Sequence, residues 1–200
     1  PAGTVRLWNR LSIGATAAAA VFAAVATWAI LRPEPPTPVL RFSLRTDVNH
    51  VPSEWMSISP DGTTAVMSYR DAEGGWRLWL RRFTDLEATP IPGVDQQVND
   101  PVISPDGTEA AFFEGGTSLR VAPLAGGLIR TVSENANCCA RWGGDGFIYY
   151  TSNDRNIQRV PVLGGAIEQV TTFQADDGLH AYFQILPGGD AAVFSVNSTS

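Results

Sequence analysis

The four residues Ser59-Pro60-Asp61-Gly62 recur as Ser104-Pro105-Asp106-Gly107, and both copies lie between two apolar runs. Proline presets φ at the first corner of a turn, and aspartate can hydrogen-bond the backbone that follows it. Glycine accepts the positive φ that closes a hairpin. We therefore predict that both phrases form tight hairpin turns and that their residues have structural roles.

Two degraded copies of the phrase follow, at Gly143–Gly146 and at Leu186–Gly189. The residues that they keep are Asp145, Gly146, Pro187 and Gly189. The last glycines of the four copies stand at positions 62, 107, 146 and 189, so the steps are 45, 39 and 43 residues. A recurrence of about 40–45 residues with strand–turn–strand content is typical of a β-propeller blade.

The residues around each turn repeat as well. A large apolar residue stands four positions before each last glycine, and three short β-prone runs follow the turn. The apolar residues are Ile58, Ile103, Trp142 and Ile185. Four short strands per unit predict an antiparallel blade, with the last strand at Leu128–Val132 in the second unit and at Ile167–Thr171 in the third. A sandwich of unrelated hairpins would explain the turns but not their shared order and period. We predict an all-β fold, an incomplete β-propeller of about three and a half four-stranded blades over residues 39–200.

Three phrases of the repeat resemble a known family. They are the stretch Ile58–Thr63, the run Leu78-Trp79-Leu80-Arg81, and Val160-Pro161 separated by two residues from Gly164-Gly165. In this order they are similar to the TolB-like, WD-repeat-like propellers of bacteria. The resemblance covers roughly residues 39–200 and implies a protein-binding scaffold, but it does not name a ligand. Because rings usually have four to eight blades, we expect the chain to be part of a longer protein.

An uncharged run precedes the repeat. Residues 11–31 lack any charge, and at about 1.5 Å per residue they span the ~30 Å of bilayer hydrocarbon. Arg6 and Arg10 precede the run and Arg32 follows it. This bias predicts an uncleaved transmembrane helix, with residues 1–10 in the cytoplasm and the repeat outside the cell membrane. Ala24-Val25-Ala26 leaves a cleaved signal peptide open, although the run exceeds the usual length of its apolar region.

Residues 32–38 contain four prolines and predict a stiff, extended spacer. The alternating residues Val39–Leu44 predict a leading strand. An arginine-flanked helix, a proline-rich spacer and a TolB-like propeller resemble the second half of bacterial transmembrane serine/threonine protein kinases. The resemblance implies a receptor whose kinase domain precedes this chain and takes part in signalling. Membrane-bound winged-helix regulators and some adenylate cyclases carry similar propellers.

Composition excludes several functions for these residues. All fourteen basic residues are arginine, so neither an intact kinase domain nor a phosphate-binding loop with its lysine lies within them. Residues 33–200 contain eleven arginines and twenty aspartate and glutamate residues, so acidic side chains outnumber basic ones. This negative charge argues against nucleic acid as a partner. We expect the lipid bilayer to contact the helix, and a protein or small-molecule ligand to bind the propeller face.

The sequence predicts no catalytic residue, cofactor or metal, and leaves open whether the parent protein is an enzyme. A Gly-x-Ser-x-Gly elbow is missing, and His50 and His180 lack metal-ligand spacing. We expect His180 to occupy a solvated loop or the entry to a blade. Asp61, Asp106 and Asp145 recur at equivalent positions, but turn chemistry explains them better than a row of calcium ligands does.

Cys138 and Cys139 are adjacent in sequence. They could form a vicinal disulfide or pair between chains, since the exterior is oxidising. We favour a third interpretation, in which they are two small unbonded residues at the start of a predicted strand, Cys138–Trp142. Large aromatic side chains are expected to fill the space between blades. These are Trp55, Trp76, Trp79, Trp142 and Phe183.

Overall fold

The computed structural model of this 200-residue chain describes residues 10–32, 51–70, 73–174, 177–186 and 189–197. These residues fall into two compact units, a helix and a set of β-sheets. The predicted strand Val39–Leu44, and the spacer beyond Arg32, lie outside the described residues.

Helix α1, Arg10–Leu31, is rich in alanine, the residue with the highest helix propensity. Two of its hydroxyl groups bond within the helix, since the Thr16 and Thr27 hydroxyls donate to the carbonyls of Ile13 and Ala23. The part from Ile13 to Leu31 is long and apolar enough to cross a membrane, and none of it is buried. The helix is therefore compatible with either a membrane anchor or a signal sequence.

The β unit contains fourteen strands among the described residues, and each pairs antiparallel with the next strand of its own sheet. The first sheet contains β1 (Val51–Ile58), β2 (Thr64–Arg70), β3 (Trp76–Arg82) and β4 (Thr89–Ile91). The second contains β5 (Val98–Ile103), β6 (Glu109–Glu114), β7 (Ser118–Pro123) and β8 (Arg130–Ser133). The third contains β9 (Cys138–Trp142), β10 (Phe147–Thr151), β11 (Ile157–Pro161) and β12 (Glu168–Gln169). Strands β13 (Leu179–Ile185) and β14 (Ala192–Asn197) form a fourth sheet.

Three hydrophobic clusters join consecutive sheets. Leu78 and Phe112 share the cluster between the first and second sheets, and Phe113 and Tyr150 share the one between the second and third. Phe183 belongs to the cluster between the third and fourth sheets. Because each middle sheet is covered on both faces, β6 has five buried residues in succession instead of an alternating pattern.

The last strands of the second and third sheets differ from their predicted bounds. The predicted strands Leu128–Val132 and Ile167–Thr171 are observed as β8 and as the two-residue β12. Leu128 is 92% exposed and Ile167 is 44% exposed, so little buried surface holds either residue in its sheet. Both residues precede the observed strands, and Val170 follows β12.

The predicted position of the aromatic residues holds in part. Phe183 is buried, and the Trp142 Nε1–H donates to the Val102 carbonyl of the second sheet at 2.9 Å. Trp79 and Trp76 are half-buried, with the Arg70 guanidinium 4.6 Å over the Trp76 ring. Trp55 is 39% exposed, so the expectation that it fills the space between sheets is wrong in this structure.

Candidate functional site

The two Ser-Pro-Asp-Gly turns have the same hydrogen-bond network. Asp61 accepts bonds from the Ser59 hydroxyl and from the backbone and hydroxyl of Thr63. Ser59 in turn accepts the Thr64 N–H at 3.0 Å. These donors, with the Ser59 hydroxyl first, lower the pKa of Asp61. The carboxylate thus organises the turn from within.

The second turn repeats this pattern. Asp106 accepts bonds from the hydroxyls of Ser104 and Thr108, and the Ser104 hydroxyl accepts the Glu109 N–H. The pKa of Asp106 is likewise lowered, chiefly by the Ser104 hydroxyl. Gly62 and Gly107, with φ of 70° and 72°, donate their N–H groups to the serine carbonyls. Pro60 and Pro105 occupy the first corners of these turns.

The third turn departs from the pattern. Gly143 stands where the first two copies have serine, and a Cβ there would collide with the Asp145 carboxylate and the Tyr149 ring. Asp145 instead accepts the Tyr149 hydroxyl at 2.7 Å, and Arg159 lies 3.5 Å away. Burial, followed by the bond to Asp145, raises the pKa of Tyr149. This turn therefore presents an Asp–Tyr–Arg cluster.

The fourth turn is described in part. The Gly189 N–H donates to the Leu186 carbonyl at 3.0 Å, and Gly189 has a φ of 79°. Pro187 lies outside the described residues. Gly146, the equivalent glycine of the third turn, has a φ of 84°.

The first strands of the four sheets share an irregularity that sequence reasoning missed. In β5, β9 and β13, two residues oppose one residue of the next strand, and β1 has a longer break between Pro52 and Met56. The bulges of β5, β9 and β13 each contain a non-glycine residue with positive φ. These are Asp100 (45°), Cys139 (67°) and Tyr182 (52°).

Each of these bulge residues stands three positions before the large apolar residue that precedes the turn. Bulges re-aim side chains, and left-handed non-glycine residues concentrate at functional sites. Since the first strands of consecutive sheets also contact one another, the bulges form a row along the molecule. No sequence signal marks this row, because the extra residue appears only in the pairing register.

The bulges of the second and third sheets are joined by one carboxylate. The Asp100 Oδ2 accepts the Cys139 N–H at 2.8 Å. Burial raises the pKa of Asp100, and the nearby Arg141 and the N–H groups of Cys139 and Ala140 oppose that rise. Asp100 thus links two sheets at the position of the strained backbone.

Cys138 and Cys139 are joined by a disulfide. The interpretation that we favoured from the sequence, two unbonded cysteines, is wrong in this structure. The predicted strand Cys138–Trp142 is observed as β9. Cys139 is 5% exposed, whereas Cys138 is half-buried.

His180 is the second residue of β13 and is 3% exposed. It therefore lies at the entry to the fourth sheet, one of the two expected positions, and the expectation of a solvated loop is wrong. Its Nδ1 lies 2.9 Å from the Thr171 hydroxyl and its Nε2 lies 3.1 Å from the Asp177 carboxylate. The ring packs 5.1 Å from the Phe194 ring. The Gln174 N–H, more than His180, lowers the pKa of Asp177. This histidine fastens Thr171 and Asp177 to the fourth sheet. His50 lies outside the described residues.

An open groove of about 640 Å³ lies where β9 and β13 end, and we call it the third-turn groove. It is lined by Arg141, Trp142, Gly144, Asp145, Gln184, Ile185, Leu186 and Gly189. The volume is in the range of small-ligand pockets. Its guanidinium, carboxylate, amide and indole can bind a polar group beside an apolar one. Within the described ranges, no group of three or more His, Cys, Asp or Glu residues could hold a metal ion.

No family model matches the chain, and no curated protein sequence is significantly similar to it. Solved structures are similar in fold. The putative TolB from Agrobacterium tumefaciens matches with a TM-score of 0.63 and 20% identity, over 74% of this chain and 55% of that chain. An oligogalacturonate lyase in complex with manganese has a TM-score of 0.60 and 16% identity, over 72% and 47%. TolB from Acinetobacter baumannii has a TM-score of 0.53 and 16% identity, over 72% and 40%.

These similarities support the predicted TolB-like propeller fold, with four-stranded antiparallel sheets as its units. The chain spans about half the length of the solved structures it matches. The number of blades and the closure of a ring stay predictions. Two structures named TolB and one named oligogalacturonate lyase are all similar to this fold. A fold alone therefore does not specify a function.

Proposed function

We propose that the β unit is an extracytoplasmic binding domain, held at the cell membrane by helix α1. The observation that carries this proposal is the order of an apolar, unburied helix followed by a TolB-like fold. The third-turn groove supplies a binding surface, with Arg141 and Asp145 as polar anchors and Trp142 as the apolar wall.

Membrane topology tests the first half of the proposal. Alkaline phosphatase, which is active outside the cytoplasm, is fused after residue 197, and a fluorescent protein that folds in the cytoplasm is fused there in a parallel gene. We expect phosphatase activity and no fluorescence. Fluorescence with inactive phosphatase would overturn the extracytoplasmic location.

Mass spectrometry of the mature N-terminus distinguishes an anchor from a signal sequence. We expect a protein that retains residues 10–32 and fractionates with membranes. A mature chain that begins at Thr27 would show that the helix is cleaved, and the β unit would then be a released protein.

Site-specific photo-crosslinking tests the binding surface. A crosslinking residue replaces Gln184 in the third-turn groove, and the control replaces Leu163, which is 87% exposed on another turn. We expect discrete envelope-protein adducts from position 184 that do not form from position 163. Equal adducts from both positions would contradict a binding role for the groove.

We further propose that the parent protein is a receptor whose effector precedes this chain, a serine/threonine protein kinase. The support is the resemblance of helix, spacer and propeller order. The reading frame upstream of Pro1 tests it. A glycine-rich loop, a strand lysine and a His-Arg-Asp loop there would support the kinase, and an initiating methionine directly before Pro1 would contradict it.

The second candidate is a TolB-like interaction scaffold that binds envelope proteins without signalling. The similarity to two TolB structures favours it. The upstream reading frame also separates this candidate from a kinase receptor and from a winged-helix regulator, since the scaffold needs no cytoplasmic effector domain.

A further inference from the structure

The Cys138–Cys139 disulfide cannot stabilise the fold in the usual way. A disulfide lowers the entropy of the unfolded chain by an amount that grows with the length of the loop it closes. Adjacent cysteines leave no residues between them to form such a loop. Its effect must therefore be local. The bond closes a small ring around one peptide group, so it restricts the backbone of the β9 bulge.

The restrained bulge lies where three sheets meet. The Cys139 N–H donates to Asp100 of the second sheet. The Cys139 side chain packs in one cluster with Phe183 of the fourth sheet. Cys138 pairs with Thr151, whose hydroxyl donates to the His180 carbonyl at 2.7 Å. A change of backbone conformation at Cys139 would thus reach both neighbouring sheets.

We propose that Cys138 and Cys139 form a reversible dithiol–disulfide site that controls the junction between the second and third sheets. Left-handed φ is unfavourable for a non-glycine residue. The equivalent Asp100 and Tyr182 adopt it without a disulfide, so the sheet pairing alone can hold this conformation, and the ring adds a further restraint at Cys139. When the ring opens, Cys139 loses this restraint, its backbone moves more freely, and the bond from the Cys139 N–H to Asp100 weakens.

The chemistry needs a dithiol as reductant. One thiolate of the dithiol attacks the Cys138 sulfur, which is half-buried, while the Cys139 sulfur is shielded. The Cys138–Cys139 bond breaks, and Cys139 leaves as a thiolate that takes a proton from solvent. The second thiol of the reductant then resolves the mixed disulfide. Two electrons pass to the cysteines, two S–H bonds form, and the reductant becomes a disulfide.

Reversibility is tested on the full chain in detergent micelles. The protein is equilibrated in mixtures of reduced and oxidised dithiothreitol, alkylated with iodoacetamide and weighed by mass spectrometry. We expect a reversible transition between a form with no alkyl group and a form with two. Two alkyl groups in every mixture, or none in any, would overturn the proposal.

Hydrogen exchange of the Cys139 amide tests the structural consequence. On reduction we expect this amide to exchange about tenfold faster, a factor that reflects the left-handed penalty of a non-glycine residue. The Glu109 amide, which donates to Ser104 in the second turn, is the internal control and should not change. Equal exchange of the Cys139 amide in both states would contradict control of the junction.

Two variants that lack the disulfide ring test whether left-handed backbone strain explains the faster exchange. The double variant Cys138→Ser with Cys139→Ser should exchange like the reduced protein and should not respond to dithiothreitol. The variant Cys139→Gly also lacks the ring, but glycine adopts positive φ without penalty. We expect Cys139→Gly to keep most of the protection of the oxidised protein. Exchange of Cys139→Gly as fast as that of the double serine variant would show that left-handed backbone strain is not the cause.

Discussion

Asp61 and Asp106 show how far single residues could be predicted from the sequence. Their places in the turns followed from the Pro-Asp-Gly order, since turn chemistry acts over a few neighbouring residues. Asp100 had no such signal. Its carboxylate contacts Cys139, thirty-nine positions away, and its positive φ arises from the pairing of β5 with β6. The burial of His180 was also missed, because Phe194 and Thr171 come together around it only in the folded chain.

The two turn carboxylates should make folding stability depend on acid. Both pKa values are lowered in the folded protein, so the contribution is complete above the ordinary aspartate pKa of 3.8. It is lost as the pH falls through the lowered folded-state values. We expect the variant Asp61→Asn with Asp106→Asn to lose less stability than wild type between about pH 4 and pH 2. Urea unfolding at a series of pH values measures this difference.

The control for the turn variant is Asp190→Asn, which removes an exposed carboxylate outside the two turns. It should keep the acid dependence of the wild type. The prediction fails if the turn variant and the control show the same change of stability with pH.

Arg130 joins two sheets through a bidentate ion pair and a carbonyl. Its Nη1 and Nη2 lie 2.6 and 2.8 Å from the two Glu109 oxygens, and its Nη2 also donates to the Val162 carbonyl at 3.1 Å. Lysine cannot reproduce this fork. Because the side chain is partly exposed, we expect Arg130→Lys to lower the free energy of unfolding by about 1–2 kcal/mol.

Urea denaturation measures the effect of Arg130→Lys, with Glu168→Gln as the matched ion-pair control. The Arg159–Glu168 pair lies at the surface, where Glu168 is 50% exposed, and exposed pairs contribute little. We expect a clearly smaller loss for Glu168→Gln. An equal loss for both variants would mean that the link between sheets adds nothing to an ordinary surface pair.

At the scale of elements, the repeat predicted which strands exist better than where they end. Strands β2, β6 and β10 follow their turns as expected, because turn residues and apolar runs agree there. Sequence periodicity does not reveal an extra residue in a strand, so the bulges in β5, β9 and β13 were missed. They become visible only when the partner strand fixes the register.

The membrane role of α1 should depend on where a charge is introduced. Phe22 lies near the middle of the apolar stretch and Leu31 at its end. An arginine at the centre of a membrane helix costs about 2.5–3.5 kcal/mol on the insertion scale. Near an end it reaches the interface, so Phe22→Arg should reduce insertion much more than Leu31→Arg. Glycosylation of reporter sites on both sides of the helix in microsomes measures the inserted fraction. Similar insertion of both variants would contradict a bilayer-spanning helix.

The β unit as a whole is a succession of sheets in which each core cluster contacts only neighbours. This arrangement explains why the sequence repeat predicted the fold but did not predict a ligand. The repeat encodes one sheet and its contact with the next. The third-turn groove depends instead on departures from the repeat, namely Gly144 in place of the proline of the first two turns and Gln184 on β13. Such departures occur at single positions, so a repeat pattern does not predict them.

In the part of the chain that the structure describes, β14 lies at the edge of the fourth sheet, with a consequence for association. Among the described residues, β14 pairs with β13 alone, while each of the other sheets has four strands. Val193 and Val196 of β14 are 62% and 46% exposed. An apolar edge strand offers unpaired backbone groups to another chain, and a charged residue on such a strand opposes that pairing. We expect the full chain in detergent to associate with increasing concentration, and Val193→Lys to reduce this association.

Light scattering after size-exclusion chromatography, at several protein concentrations, measures the association. The matched control is Leu163→Lys, which makes a comparable change of charge and hydropathy at a residue 87% exposed on the turn after β11. Because Leu163 lies away from β14, this variant should associate like the wild type. If Leu163→Lys dissociates the protein as well as Val193→Lys does, general surface charge is the cause. If the wild type stays monomeric throughout, the edge of β14 is protected and the prediction is wrong.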